Sequence, residues 1–276
     1  MSINVKKRVL IITSELAPYL ESTEFAELLN KLSVKTFDSG MEIRVIMPRF
    51  GTINERRHRL HEVVRLSGIN VVVDKEDHPL LIKVASLPNA RLQVYFMDNE
   101  DFFKRKFVYR DAEEQFYSDN TERTIFFAKS ALEIVKKFGW PPDVIHCHGW
   151  MTALVPMFLK TAYKKEPVFA QSKTIFTAQA KQFEESLSED MFKMLLNSAP
   201  IKEKDVEPYK GNDYNGLMHG GCEYADVIVF GDENVDQAIV NDFSESEKIV
   251  VPYDTEWKED ISSLFDVYCD LAQELI

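Results

Sequence analysis

Arg8-Val-Leu-Ile-Ile-Thr13 is apolar without alternation and rich in β-branched side chains. A strand with one wet face alternates polar and apolar positions, so an unbroken apolar run predicts a strand covered on both faces, as in a parallel sheet. From 22 to 38 the spacing becomes helical, with Phe25, Leu28, Leu29, Leu32 and Phe37 on one stripe and Gly40 as the stop. Glu42–Met47 predicts the next strand, ended by Pro48. Strand, helix and strand in about 40 residues make a βαβ unit, which is parallel and nearly always right-handed.

Residues 60–97 follow a different rhythm. His61–Leu66, Ile69–Val73, Leu80–Ser86 and Leu92–Phe96 are short β-rich runs with no helix between them, predicting an antiparallel flank on the parallel sheet. One long amphipathic helix is expected over 113–138 (Phe116, Ile125, Phe126, Ala128, Leu132, Val135), stopped by Gly139 and Pro141-Pro142. Strands at 143–147, 173–177 and 226–230 then alternate with helices at 150–163, 185–197, 213–223 and 233–241. A final helix is predicted over 257–276, where Trp257, Ile261, Leu264, Tyr268, Leu271 and Leu275 repeat every three or four residues. The expected fold is a Rossmann-like, doubly wound, mostly parallel α/β sheet, read as one domain over 1–276, with the last helix packing back on it.

Composition narrows the function classes. The chain has 276 residues, 45% hydrophobic and 28% charged, and a formal net charge of -12. An acidic surface with scattered cations repels a phosphate backbone, so no nucleic-acid partner is expected. Cys147, Cys222 and Cys269 show no CxxC spacing, which fits a reducing compartment. The apolar run after Lys7 is too short for a signal-peptide core or a membrane span, so the expectation is a cytoplasmic protein without a membrane partner.

Ligands of doubly wound sheets bind beyond the carboxyl ends of the strands. Three turns qualify: Ser14–Thr23, His146–Trp150 and Ala178–Phe183. The first has no glycine and, with Glu24, carries Glu15, Glu21 and Glu24, whereas a phosphate site needs glycine-exposed N–H groups and a positive environment. Ser22 or Thr23 is expected to cap the following helix, with Glu24 and Glu27 in its first turn. No GxGxxG or GxxxxGK[ST] occurs, so no cofactor is expected. In His146-Cys147-His148, alternation puts both histidines on one face. No third ligand has convincing spacing, so no metal is expected. His148, Trp150, Glu15 and Gln179 are the ligand-binding candidates. His219 and Cys222, beside Gly220-Gly221, read as close helix packing.

The same turns carry a resemblance. Lys7–Tyr19, Arg44–Gly51, Asp119–Phe127, Pro142–Pro156, Lys173–Thr177 and Asn215–Val229 occur in the order of motifs in glycosyltransferase family 5, the bacterial glycogen and plant starch synthases. The resemblance covers about residues 6–240. It implies the N-terminal half of a GT-B fold, whose second domain supplies most nucleotide contacts. Against the family's Lys-Thr-Gly-Gly-Leu loop this chain has Glu21-Ser22-Thr23-Glu24-Phe25, and Glu27 stands where the family has Asp. Gly149 replaces the aspartate of "HDW", Gln179-Ala180 replace "HN", and Gly231 replaces a serine. His148 and Trp150 match unchanged. Tyr253–Trp257 is similar to the family's interdomain segment, so the last helix is expected to cover surface that the second domain buries elsewhere.

Three readings follow: a non-catalytic binding or regulatory homologue whose partner is a protein or an α-glucan; a subunit of an ADP-glucose-dependent glycogen synthase completed by another chain; or an unrelated interaction role on the same scaffold. If active, the chemistry implied is transfer of glucose from ADP-glucose to an α-1,4-glucan. Glu21 and Glu24 predict no binding of ADP-glucose or UDP-glucose.

Overall fold

The computed structural model describes residues 6–88 and 90–273. Its strands are β1 (Arg8–Thr13), β2 (Glu42–Pro48), β3 (His61–Glu62), β4 (Ile69–Val73), β5 (Glu76–Ser86), β6 (Gln93–Asp98), β7 (Val144–His148), β8 (Lys173–Ala178), β9 (Val227–Phe230) and β10 (Ile249–Val251). They lie in the order β10-β9-β8-β7-β1-β2-β6-β5-β3, with β4 paired to β5. From β10 through β6 every pairing is parallel, and β5 pairs antiparallel with β6, β4 and β3. The connections leave β1 toward β2 on one side, whereas β7 begins the run on the other. The switch point therefore lies between β1 and β7, where the crevice at the carboxyl ends opens.

The apolar runs account for this order. Val9–Ile12 and Val144–Ile145 are fully buried, as central parallel strands must be. The helix Phe25–Asp38 packs on β2 and on the terminal helix Ser262–Gln273, which also touches β7. The helix Asn120–Phe138 packs on Leu154–Lys160 and on β4, and Leu154–Lys160 packs on Tyr214–Tyr224. Tyr214–Tyr224 also packs on the turn Glu207–Tyr209 and on β8, and those two contacts need small residues. A Cβ at Gly220 would fall 2.3 Å from the Tyr209 ring, and one at Gly221 2.6 Å from the Phe176 ring.

Several expected boundaries shift. The hairpin flank is present, but β6 also joins β2 in the parallel sheet. The expected 61–66 strand shrinks to two residues, because Val63 and Val64 turn the chain at Leu66 and Ser67. The long helix begins at Asn120 rather than 113, and Phe116 lies ahead of it in a bridge with Arg110. The 150–163 helix splits into a 3-10 turn (Trp150–Thr152) and Leu154–Lys160; 185–197 reduces to Met191–Ser198, and 233–241 moves to Gln237–Ser244. β10 has no counterpart in the sequence reading. Over 257–276 the chain forms a 3-10 turn (Thr255–Lys258) and then Ser262–Gln273; Leu275 lies outside the described residues. Trp257, Ile261, Leu264, Tyr268 and Leu271 are buried within this chain, as the stripe requires.

Candidate functional site

The first turn is organised by Glu15. Its carboxylate is 7% exposed and accepts from the backbone N–H groups of Ser22 (2.9 Å) and Thr23 (2.8 Å) and from the Thr23 hydroxyl (2.5 Å). These are the N–H groups that would face an incoming anion, and an internal carboxylate holds them. Burial pushes the Glu15 carboxyl above its usual range, outweighing the opposing pull of these donors. Neither Ser22 nor Thr23 is the helix cap. Glu24 is, with helical backbone angles and no capping side chain, while the Thr23 hydroxyl accepts from Phe25 N–H at 3.1 Å. Donating to Glu15 leaves that hydroxyl free to accept, so Thr23 still holds an N–H of the first turn although the helix boundary falls at Glu24. Glu27 does fall in the first helical turn.

At the end of β7, both histidine rings project to one face with centroids 3.8 Å apart. His146 is saturated: Nδ1 meets the Tyr268 hydroxyl at 2.7 Å, and Nε2 meets the Thr177 hydroxyl at 2.8 Å. With both nitrogens engaged it is unavailable as a metal ligand, and among the described residues no three ligating side chains converge. His148 is 1% exposed, and neither of its ring nitrogens has a partner among the described protein groups. Burial pushes both imidazoles down, His146 to about 3 and His148 well below its ordinary value. Both are neutral at physiological pH. Gly149 follows at φ +82°, and a Cβ there would lie 2.9 Å from Ser14 Oγ, so conformation and space both require glycine.

Two openings adjoin at Thr23 and Gln182. The first, about 400 Å³, is an aromatic groove over Trp150, walled by Phe107, Tyr109, Phe116 and Phe183 with Arg110 and Glu114 at its rim. Phe116 and Phe183 stack at 4.8 Å, and Trp150 meets Tyr109 at 5.0 Å and Phe183 at 5.1 Å. Arg110 forms a fork with Glu185 (2.5 and 2.9 Å) that holds the groove's two flanks together. The second, about 750 Å³, runs between the start of the Phe25–Asp38 helix, Gln179–Gln182, Gly231-Asp232 and the strap Tyr253–Lys258.

Of the expected ligand contacts, Trp150 floors the groove and Gln179 lines the cleft, where it accepts from Gln182 at 3.2 Å. Glu15 and His148 line neither opening. Of the degenerate loop, Glu21, Thr23, Glu24 and Glu27 line the cleft, and Ser22 and Thr23 line the groove. Sequence reasoning missed the groove wall from Phe107 to Phe116, having assigned part of it to a helix. The signal was present in Phe102, Phe103, Phe107, Tyr109, Phe116 and Tyr117, an aromatic density without helical period. It also missed the strap.

A family model described as the starch synthase catalytic domain matches residues 8–249. The glycogen synthase of Chlorobium limicola is 34% identical over 222 residues, which are 80% of this chain and 45% of that protein. The glycogen synthase of Pelodictyon phaeoclathratiforme is 33% identical over 236 residues, 85% of this chain and 47% of that one. Among solved structures, the catalytic domain of starch synthase IV from Arabidopsis thaliana, bound to ADP and acarbose, matches with a TM-score of 0.68 at 20% identity. That match covers 82% of this chain and 45% of the other, and it shows the fold. The chain spans about half the length of the curated relatives it matches.

Proposed function

The chain belongs to the starch synthase catalytic-domain family, and from that membership we propose that it is a non-catalytic member that binds an α-glucan rather than a nucleotide sugar. The observation that carries this reading is the charge state of the cleft. Two of its three lysines pair with carboxylates, Lys258 with Glu24 at 2.5 Å and Lys181 with Glu184, while Lys31 donates to the Lys258 carbonyl at 2.5 Å and keeps its charge. Against them stand Glu21, Glu24, Glu27 and Asp232. A diphosphate placed there meets more carboxylates than lysines, with Lys31 the one cleft lysine lacking a carboxylate partner among the described residues, and like charges at about 4 Å repel by roughly 1–4 kcal/mol near a surface. The adjoining groove offers what a sugar chain uses instead, aromatic surface at Phe107, Tyr109 and Phe116 over the buried Trp150 and Phe183, with polar groups at the rim.

Isothermal titration calorimetry separates the possibilities. Maltoheptaose is expected to bind with a dissociation constant below the millimolar range, whereas ADP-glucose and UDP-glucose at millimolar concentration give no heat. Nucleotide-sugar binding, or the absence of any glucan response, overturns the proposal.

A second reading has one observation in its favour. His148, buried and unpartnered behind the cleft, is the kind of polar group a ligand completes. In this reading the chain is a subunit of an ADP-glucose-dependent glucan synthase finished by another chain. Glucose transfer to glycogen appearing only when a co-purifying protein is added back would establish it.

A further inference from the structure

His148 sits close behind the cleft without lining it. Between the two lies Phe25, whose ring centroid is 5.4 Å from that of His148 and whose side chain is part of the cleft wall. Phe25 fits there because of position 231 on the same wall. A Cβ at Gly231 would lie 2.9 and 3.1 Å from the Phe25 ring atoms Cε2 and Cζ, and 2.5 Å from Thr177 Cγ2. Gly231 does not have a positive φ, unlike Gly149, so its backbone would accept any residue. Space alone demands glycine, and the Phe25 ring occupies part of that space.

We infer that Phe25 and Gly231 are a matched pair that seals the cleft from His148, so that the side chain at position 25 decides whether a ligand in this cleft can reach the imidazole. The group behind the seal has a definite preference. A neutral imidazole offers one N–H donor and one lone pair; hydroxyl groups can meet both, whereas an ionised phosphate oxygen can meet only the N–H. Phe25 lies at the second residue after Thr23, whose backbone and hydroxyl Glu15 fixes, so the plug hangs from a rigid turn. The concealed group therefore suits a neutral, polyhydroxylated ligand. That ligand class rests on the glucan reading above, whereas the seal itself does not.

Diethyl pyrocarbonate acylation, read residue by residue by tandem mass spectrometry, tests the seal on the whole chain. In the wild-type protein His148 is expected to react at least tenfold more slowly than exposed His61. Phe25→Ala is expected to raise the His148 rate at least tenfold, and Phe25→Leu to raise it less. Cys147, buried on the other side of β7, is the control for folding, since a thiol reagent should leave it untouched in every variant. If Phe25→Ala exposes Cys147, Phe25→Leu carries the test alone. His148 reacting equally fast with and without the Phe25 ring, or staying protected in a folded Phe25 variant, overturns the inference. Maltoheptaose titration of the same variants reads the ligand arm separately: loss of glucan binding in all proteins sinks the function and leaves the seal standing.

Discussion

The Tyr268 hydroxyl lies 2.7 Å from Nδ1 of His146, tying the last helix to the central strand that ends at the switch point. Both side chains are fully buried. Each satisfies a polar atom of the other that water cannot reach.

Removing that hydroxyl strands the imidazole nitrogen. Tyr268→Phe is expected to lower unfolding free energy by about 1–3 kcal/mol, the cost of an unsatisfied buried polar group. Leu264→Ala, at a fully buried position of the same helix, is expected to cost about 2–5 kcal/mol. Urea unfolding checks both. An unchanged midpoint for Leu264→Ala would mean the helix is not packed on this sheet in solution.

Acidification should destabilise the fold through the histidine pair. His146 is held down to about 3, so it takes no proton in the folded state near pH 5, and burial beside His146 holds His148 well below its ordinary value. In the unfolded chain each titrates near 6.5. The unfolded state therefore binds more protons as pH falls below about 6.5, and stability present at neutral pH drains away down to about pH 3. While only the unfolded chain is protonated, His146 contributes up to about 1.4 kcal/mol per pH unit in that window, and His148 acts in the same direction. His148→Gln is expected to make stability fall less steeply as pH drops below about 6.5. An identical slope in wild type and variant would show that His148 titrates normally in the fold.

The helix Tyr214–Tyr224 buries Tyr214, Leu217, Met218 and Cys222 but has no room for a side chain at Gly220 or Gly221. Gly220→Ala and Gly221→Ala would press on the Tyr209 and Phe176 rings, and overpacking of this kind costs about 1–3 kcal/mol. Gly221→Ala pushes on β8, so calorimetric melting should show a lower Tm in both variants. A raised Tm, the usual result of Gly→Ala in an open helix, would mean the rings move aside freely.

Phe107 is 37% exposed at the groove mouth, so its removal should touch binding more than stability. Phe107→Ala is expected to weaken maltoheptaose binding about tenfold, or roughly 1.4 kcal/mol, with little change in Tm. Unchanged glucan affinity would take the groove out of the binding site.

What the sequence determined by itself is the order of strands and helices and the kind of sheet they make. Those features are written locally: the unbroken run Val9–Ile12 needs cover on both faces, and the run from Ile69 to Ser86 lacks helices. The paired faces of His146 and His148, and the close packing at Gly220-Gly221, were also legible, because strand alternation and the absence of a Cβ are properties of adjacent residues. The site was legible only in outline. Trp150 and Gln179 line the two openings, yet His148 lines neither, Glu15 is spent inside its own turn, and the groove is walled by Phe107, Tyr109, Phe116 and Phe183. Three of those lie within Phe107–Phe116, and only the tertiary fold brings Phe183 against them. The Phe25–Gly231 fit is likewise a contact across 206 positions, 231 less 25, that no local period encodes. Local patterning decides which faces must be buried, and only the packed sheet decides what each buried face meets.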